Sequence, residues 1–520
     1  MPDSIAPVSG RLTVRAGLFV LMVLCWLPWF YLQSQMRVSA DAAWLAEAAS
    51  RVLAGQSMTG HYFDSNPPMS MLIYLPVAFL VQAGMPLWHA LNLFTLLLTG
   101  ASFGLSAVML RFWPGLKKLT YWGFLSAWLL AVTAMSHFDF AQKDHLIAIM
   151  LPSFLLAQLM LVYPCGLPRR IQVAALILGM PFILLKPHYG LLAVVMIAFR
   201  AWKQRRLNVF GDDDFIILAC GVVAYAGIVA GLFPDFFTDV LPLSLEFYVG
   251  QVLKDVYPLS AEVLFLTVCC TCLALMGGER WNHDRILAVF LSVMAFLSGV
   301  VFLVQWKGFP LHLLPALALM LPAMVVTGLL YAPGLAARKG AVAAMIVISA
   351  MLGCLVFTIE KPMPTHKSYR DSSFAAYLHA HVPPGETFYL QADSTNVIVP
   401  VAGYTGAKNA SRFPLLWFLS GLEKICAEQG KACEKNPKVL YFSTKVAEDV
   451  RLGKPSFIGL YADPGPGEHF MEVLGTDPDF QKEWKKYSPA GQFLLNYREF
   501  YAGPLAETAK PRLYNIYMRR

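Results

Sequence analysis

Residues 37–76 read RVSADAAWLAEAASRVLAGQSMTGHYFDSNPPMSMLIYLP, the first sizeable polar interval after an apolar opening. From Asp41 to Leu53, the residues Trp44, Leu45, Ala48, Ala49, Val52 and Leu53 recur at spacings of three and four, which predicts a short amphipathic helix along a membrane interface. Asp41 stands where an N-cap is expected. Gly55 ends the helix, residues 56–65 are turn-rich, and Asn66-Pro67-Pro68 sets an extended entry into the next apolar run. An acidic residue is therefore expected at the edge of a membrane, held there by a helix.

Composition supports the membrane setting. Of 520 residues, 57% are apolar and only 14% charged, against roughly 25% charged in a soluble domain. The formal charge of +8 comes from Lys and Arg in short clusters between apolar runs, the pattern of topology determinants rather than of a nucleic-acid surface. No nucleic-acid partner is expected. Seven of the nine cysteines lie in or beside apolar runs without metal-ligand spacing and read as small buried residues.

Apolar runs occur near 14–34, 69–84, 88–110, 120–136, 146–163, 171–185, 189–202, 214–233, 261–277, 286–305, 311–331 and 341–359. About twelve spans are thus expected. Runs 171–185 and 189–202 are short of the roughly 20 residues a straight span needs, so they read as incomplete spans meeting at Lys186-Pro187-His188. Basic residues gather in one set of loops (Arg11, Arg15, Arg111, Lys117, Lys118, Arg169, Arg170, Arg200, Lys203, Arg205, Arg206, Arg280, Arg285, Arg338 and Lys339), which marks that side as cytoplasmic. Residue 360 and all that follows are expected outside, in the periplasm of a bacterial inner membrane. The first run reads as a span rather than a cleaved leader, being longer than the roughly 7–15 residues of a leader's apolar region.

From Lys361 charge returns and apolar residues fall into short alternating runs. The expected organisation is a transmembrane domain over 1–360 carrying the site on its outer loops, then a small periplasmic α/β domain over 361–520. In that domain 372–381 reads as a helix, and 387–391, 438–443 and 513–518 as strands. Cys426 and Cys433, in an oxidising compartment, are expected to form a disulfide. Trp417 and Trp484 are candidates for stacking on sugar.

The outer loops then hold Asp41, Asp64, His137, Asp139, Gln142, Lys143, Asp144, His145, Lys186, His188, Glu246, Lys254, Asp255, Gln305, Lys307 and His312. Such a set fits transfer of a sugar from a lipid phosphate. A carboxylate takes the proton of an attacking hydroxyl, while lysine, histidine or a metal stabilises the leaving phosphate. Asp41, with Asp64 and Asp144, is the catalytic candidate; Lys143, Lys186, His188, Lys307 and His312 are the candidates for donor phosphate. No cofactor is required, and a divalent metal, Mg or Mn, is compatible, with Asp41, Asp139, Asp144 and His145 as candidate ligands. No phosphate-binding glycine loop introduces a helix, so nucleotide-driven transport is unsupported.

Asp41-Ala-Ala-Trp44, Leu53-Ala-Gly55 and Asp64-Ser-Asn-Pro-Pro68 resemble, in order and spacing, the first outer loop of integral-membrane glycosyltransferases of the GT-C class. The resemblance is to the family that includes protein O-mannosyltransferases and the aminoarabinose transferases of lipid A. Phe140-Ala-Gln-Lys-Asp-His145, Leu185-Lys-Pro-His188 and Gln305-Trp-Lys-Gly-Phe-Pro-Leu-His312 are similar to its later outer motifs. It implies a polyprenyl-phosphate-linked donor, a lipid, glycan or protein acceptor in the envelope, inversion at the anomeric carbon, and Asp41 as general base. Two departures stand out: alanine follows Asp41 where relatives pair two acids, leaving Asp64, Asp139 or Asp144 as the second acid, and Asn66 stands before Pro-Pro where relatives often have lysine. The rival readings are a lipid or glycan transporter, and a structural subunit of an envelope-assembly complex.

Overall fold

The computed structural model describes residues 26, 31–133, 135–136, 139–206, 208–248, 257–276, 281–305, 309–331, 365–392, 394–462, 471, 475, 477–500 and 509–520. The chain divides into two compact units: Met1–Ser34, Asn92–Ala224 and Val252–Ile359 make the first, and Gln35–Leu91, Tyr225–Gln251 and Glu360–Arg520 the second. The boundary expected at 360/361 therefore needs revision. Residues 35–91 and 225–251 pack with the tail instead of with the apolar helices, because their polar and aromatic side chains find partners there.

Five described helices are long and apolar enough to cross a membrane: Leu87–Phe112, Lys143–Val162, Asp213–Leu232, His283–Val304 and Leu311–Tyr331. Within the first unit, Lys143–Val162 is the core helix, with 94% of its apolar window buried. Close approach of its neighbours needs small residues. A Cβ on Gly179 would stand 2.7 Å from the Cβ of Phe154, and Ser102 Oγ donates to the Ile149 carbonyl at 2.6 Å. Arg169–Leu185 and Gly190–Gln204 have 17 and 15 residues, about 26 and 22 Å at 1.5 Å per residue, short of a roughly 30 Å hydrocarbon layer. They meet in a single 3-10 turn over Pro187–Tyr189, the corner expected from the two short runs.

The run at 69–84 does not make one helix. It forms Met69–Leu72 and Leu75–Gln82, with Pro76 opening the second. Eight residues reach only about 12 Å, so this run is not a span. The apolar runs 14–34 and 341–359 lie almost wholly outside the described residues.

In the second unit the 41–53 helix appears as Ala40–Leu53. It ends in a Schellman motif: the N–H of Gly55 bonds the Val52 carbonyl and that of Gln56 the Arg51 carbonyl, with Gly55 at φ +70°. The helix is more enclosed than an interfacial helix should be. Ala42, Ala43 and Ala46 are buried together with Trp44, Leu45, Ala48 and Ala49, while Leu53 is 44% exposed.

The tail carries a five-stranded mixed sheet in the order β2-β1-β3-β5-β4, with β1 at Thr387–Leu390, β2 at Lys408–Asn409, β3 at Phe457–Tyr461, β4 at Tyr487–Leu495 and β5 at Arg512–Arg519. β1 runs parallel to β2 and β3, and β5 antiparallel to β3 and β4. Central β3 is buried from Phe457 to Leu460, as a strand covered on both faces must be. Edge strand β4 is broken by an irregularity between Pro489 and Gly491, which blunts the free edge. The expected strand at 438–443 is instead part of the helix Pro437–Gly453. Asn436 caps it through the Lys438 N–H, and Val439, Phe442, Val446 and Val450 supply a helical buried stripe. The Cys426–Cys433 disulfide is formed.

Arg412, 2% exposed, joins this domain to the loop after Ala40–Leu53. Its Nε donates to Asp449 at 2.7 Å, its Nη2 to Glu448 at 2.9 Å and its Nη1 to the Thr59 carbonyl at 2.7 Å. The Arg412 carbonyl accepts from the Phe63 N–H at 2.7 Å. Around it Phe63, Phe413, Trp417, Phe418 and Phe442 pack ring on ring. Trp417 is thus core, 5% exposed, and Trp484 stacks on Phe480 and Tyr487. Neither is a free sugar platform. Arg412→Met, which strands the buried Asp449, is expected to destabilise the second unit by about 3–5 kcal/mol, read as thermal unfolding in detergent; adding Asp449→Asn should recover most of the loss, and a drop below about 1 kcal/mol would count against Arg412 as the tie.

Candidate functional site

The candidate residues fall into two clusters, one in each unit. In the second unit Asp41 is not the cap. Ser39 holds that position, with its carbonyl accepting from the Ala43 N–H at 2.9 Å, and Asp41 lies in the first turn, where a negative charge meets the positive end of the helix dipole. Its carboxylate is half-buried and carries no hydrogen bond or ion pair among the described residues.

Asp64 is the opposite case. It is 2% exposed; Oδ2 accepts from the indole Nε1 of Trp44, and Oδ1 from the N–H of Asn66 at 2.5 Å and its side-chain amide at 2.7 Å. With both oxygens occupied, Asp64 pins the loop to the helix. Asp41 and Trp44, three residues apart, share a helix face, so the Trp44–Asp64 bond brings both acids to that face. Tyr248 feels both. Burial first, then Asp41 and Asp64, push its phenol above the ordinary range. A cavity of about 910 Å³ in this unit is lined by Ala43, Ala46, Glu47 and Ser50, which is the other face of the helix.

In the first unit four helix ends converge. Asp144 is in the opening turn of Lys143–Val162, Lys186 follows Arg169–Leu185, Gln305 follows His283–Val304, and His312 is in the 3-10 turn before Leu314. Lys186 Nζ lies 2.7 Å from Asp144 Oδ1 and 2.9 Å from Gln305 Oε1. His312 Nε2 is 3.8 Å from Asp144 Oδ2. The signs agree with the helix dipoles, acid at a start and lysine at an end. Tyr189, fully buried, points its hydroxyl at the His312 carbonyl, 3.5 Å away.

His188 belongs to the same corner, but as a neutral group. Burial, and then Lys186, push its imidazole down to about 4, and its buried Nε2 has no hydrogen-bond partner among the described residues. It offers a donor or acceptor rather than a charge. Lys143 opens its helix, half-buried, and Lys307 lies outside the described residues, as does His137.

The metal candidates do not assemble. His145 spends both ring nitrogens on the backbone, Nδ1 accepting from the Ala141 N–H at 3.0 Å and Nε2 lying 2.6 Å from the Val132 carbonyl. Asp144 is committed to Lys186, and Asp139 accepts from Gln142 at 2.9 Å. Among the described residues no group of three or more His, Cys, Asp or Glu could hold a metal ion. The described residues do not fit one.

The sequence reading placed Gln305 in the outer set without giving it a role, and it missed Tyr189 as a member of the cluster and Tyr248 as the neighbour of Asp41. Tyr189 directly follows His188 and so was within reach. Tyr248 had no such signal, being nearly two hundred residues from Asp64 in the chain.

A mostly helical chain with long apolar helices, polar helix ends gathered among them and a mixed sheet in its tail defines a helical membrane-protein class. The solved structure of ArnT from Cupriavidus metallidurans bound to undecaprenyl phosphate matches it with a TM-score of 0.56 at 14% identity, covering 98% of this chain and 98% of that one. At that identity the likeness is one of fold. The same protein in the apo state matches with a TM-score of 0.43, and the arabinofuranosyltransferase AftD from Mycobacteria with 0.45, over 99% of this chain and 42% of that one. No protein-family model matches the chain, and no curated protein sequence matches it. The GT-C resemblance read from the first outer loop thus agrees with the fold.

Lys186→Met leaves the fully buried Asp144 without its cation and is expected to destabilise the first unit by about 3–5 kcal/mol. Combining it with Asp144→Leu should restore most of the stability in detergent melts. If Lys186→Met alone melts with the parent, the pair does not hold these helix ends together.

Proposed function

We propose that this chain is a glycosyltransferase of the bacterial inner membrane that takes a sugar from a polyprenyl-phosphate carrier and places it on a hydroxyl or amine of a cell-envelope acceptor, on the periplasmic side. The observation that carries the proposal is the state of Asp41. Of the three acids in the first outer loop, Asp64 is consumed by structure, Glu47 pairs with Arg51, and Asp41 is left with a half-buried, unengaged carboxylate, on a chain whose fold is GT-C-like. A free carboxylate at that position is what a general base requires.

In the step proposed, Asp41 takes the proton of the acceptor hydroxyl or amine as the acceptor atom attacks the anomeric carbon. The bond from that carbon to the carrier phosphate breaks, the electron pair leaves with the phosphate, and the configuration inverts. Lys186 and His312 are the candidates for holding an anion in the first unit, with His188 as a neutral hydrogen-bonding group. Burial of an ammonium among helix ends is costly without a partner, and at Lys186 an anionic ligand would add to the compensation that Asp144 supplies.

Parity supports the side of the membrane. Twelve crossings would return residue 360 to the side of residue 1; with 69–84 removed, eleven apolar runs remain. An odd count carries residue 360 to the opposite side, and eleven crossings also bring every basic cluster to the cytoplasmic side in alternation.

Asp41→Asn, expressed at the level of the parent, is expected to lower sugar transfer by about 10²- to 10⁴-fold while leaving the melting temperature within a degree or two. Envelope glycan and lipid analysis of cells carrying the parent, the deletion and Asp41→Asn checks this. One sugar lost in both, with accumulation of its polyprenyl-phosphate donor, supports the proposal. Parental behaviour of Asp41→Asn excludes Asp41 as the base.

A further inference from the structure

In the first unit a second cavity, about 860 Å³, lies between the end of Lys143–Val162, Gly190–Gln204 and the opening turns of His283–Val304. Its two long walls are helical stripes that the protein leaves half-covered: Val195 and Phe199 on one, Ile286, Val289 and Val293 on the other. The spacings of three and four keep each set on one face. At its mouth stand two indoles turned outward, Trp202 at 75% and Trp281 at 60% exposure. Such amphipathic rings mark the headgroup level of a bilayer.

The cations at this mouth sort into two kinds. Arg200 is buried against Asp212 at 2.8 Å and Asp214 at 2.7 Å, and Arg206 clasps Asp212 through both carboxylate oxygens. These hold the 200–214 corner in shape. Lys203 and Arg205, which line the cavity, have no carboxylate partner among the described residues. Lys203 Nζ sits over the Tyr163 ring, 3.2 Å from its centroid. Arg205 is displayed by a left-handed backbone at φ 51°, a conformation that costs a side-chain-bearing residue free energy.

We infer that this groove binds an anionic glycerophospholipid of the cytoplasmic leaflet, an acyl chain lying between the two half-covered stripes and the headgroup phosphate meeting Lys203 and Arg205. Charge complementarity selects this occupant. A zwitterionic lipid would satisfy the apolar walls but not two unpaired cations, and a free phosphate would leave the walls bare. Basic pockets between helices on the cytoplasmic side are suited to anionic headgroups, and the loop carrying both cations belongs to the basic, cytoplasmic set. The site depends on the membrane reading and not on sugar transfer, so each can fail without the other.

The test uses the full chain in detergent, titrated with dioleoyl phosphatidylglycerol, dioleoyl phosphatidylcholine or inorganic phosphate, with thermal stability and native mass spectrometry as readouts. The expected result is saturable binding and a raised melting temperature with phosphatidylglycerol only. Lys203→Ala with Arg205→Gly removes both charges without straining the left-handed position, and should weaken that binding about 25-fold, about five-fold per cation. Lys203→Arg with Arg205→Lys should keep it. Equal response to both lipids, an undiminished response in the charge-removed variant, or the same stabilisation by inorganic phosphate alone would each overturn the assignment.

Discussion

An ammonium 2.7 Å from a carboxylate that is wholly shielded from solvent is the constraint to which the first unit answers. Neither Lys186 nor Asp144 could remain among apolar helices alone, since an unpaired ion there costs several kcal/mol. Their pairing fixes where one helix begins relative to where another ends. Gln305 on the same nitrogen and His312 beside the same carboxylate extend the constraint to two more helices. Apolar packing decides that helices lie side by side, and these polar contacts decide their register.

The second unit uses the same physics with different parts. Arg412 is buried by design of its neighbours, giving hydrogen bonds to Asp449, Glu448 and the Thr59 carbonyl. One guanidinium thus connects the tail domain to a loop more than three hundred residues earlier. That loop in turn carries Asp64, whose carboxylate is filled by Trp44 and Asn66. The consequence for chemistry is a division of labour between two acids of the same loop. Asp64 maintains the fold, and Asp41 is left available.

Much of this was legible in residues 37–76. The helix, its termination at Gly55 and the acid in its opening turn follow from local spacing and turn chemistry, which need no knowledge of the rest of the chain. The capping role of Asp41 was misread by two residues, because the cap is set by where the backbone bends and not by which side chain could serve. The helix at 437–453 was misread as a strand over 438–443, since a short apolar run has no distinctive period until its packing partners are known. His145 looked like a ligand by composition; only the positions of the Ala141 N–H and the Val132 carbonyl exclude it.

By itself the sequence determined that the chain belongs in a membrane, that a polar loop follows the first apolar run, and that the tail from about residue 361 changes to mixed helix and strand, because these depend on composition, period and charge alone. The tertiary structure decided which acids are free and which are bound, that 35–91 packs with the tail, and that 69–84 is no span. Those outcomes depend on contacts between residues far apart in the chain, and a buried carboxylate is free or engaged only according to what the fold places beside it.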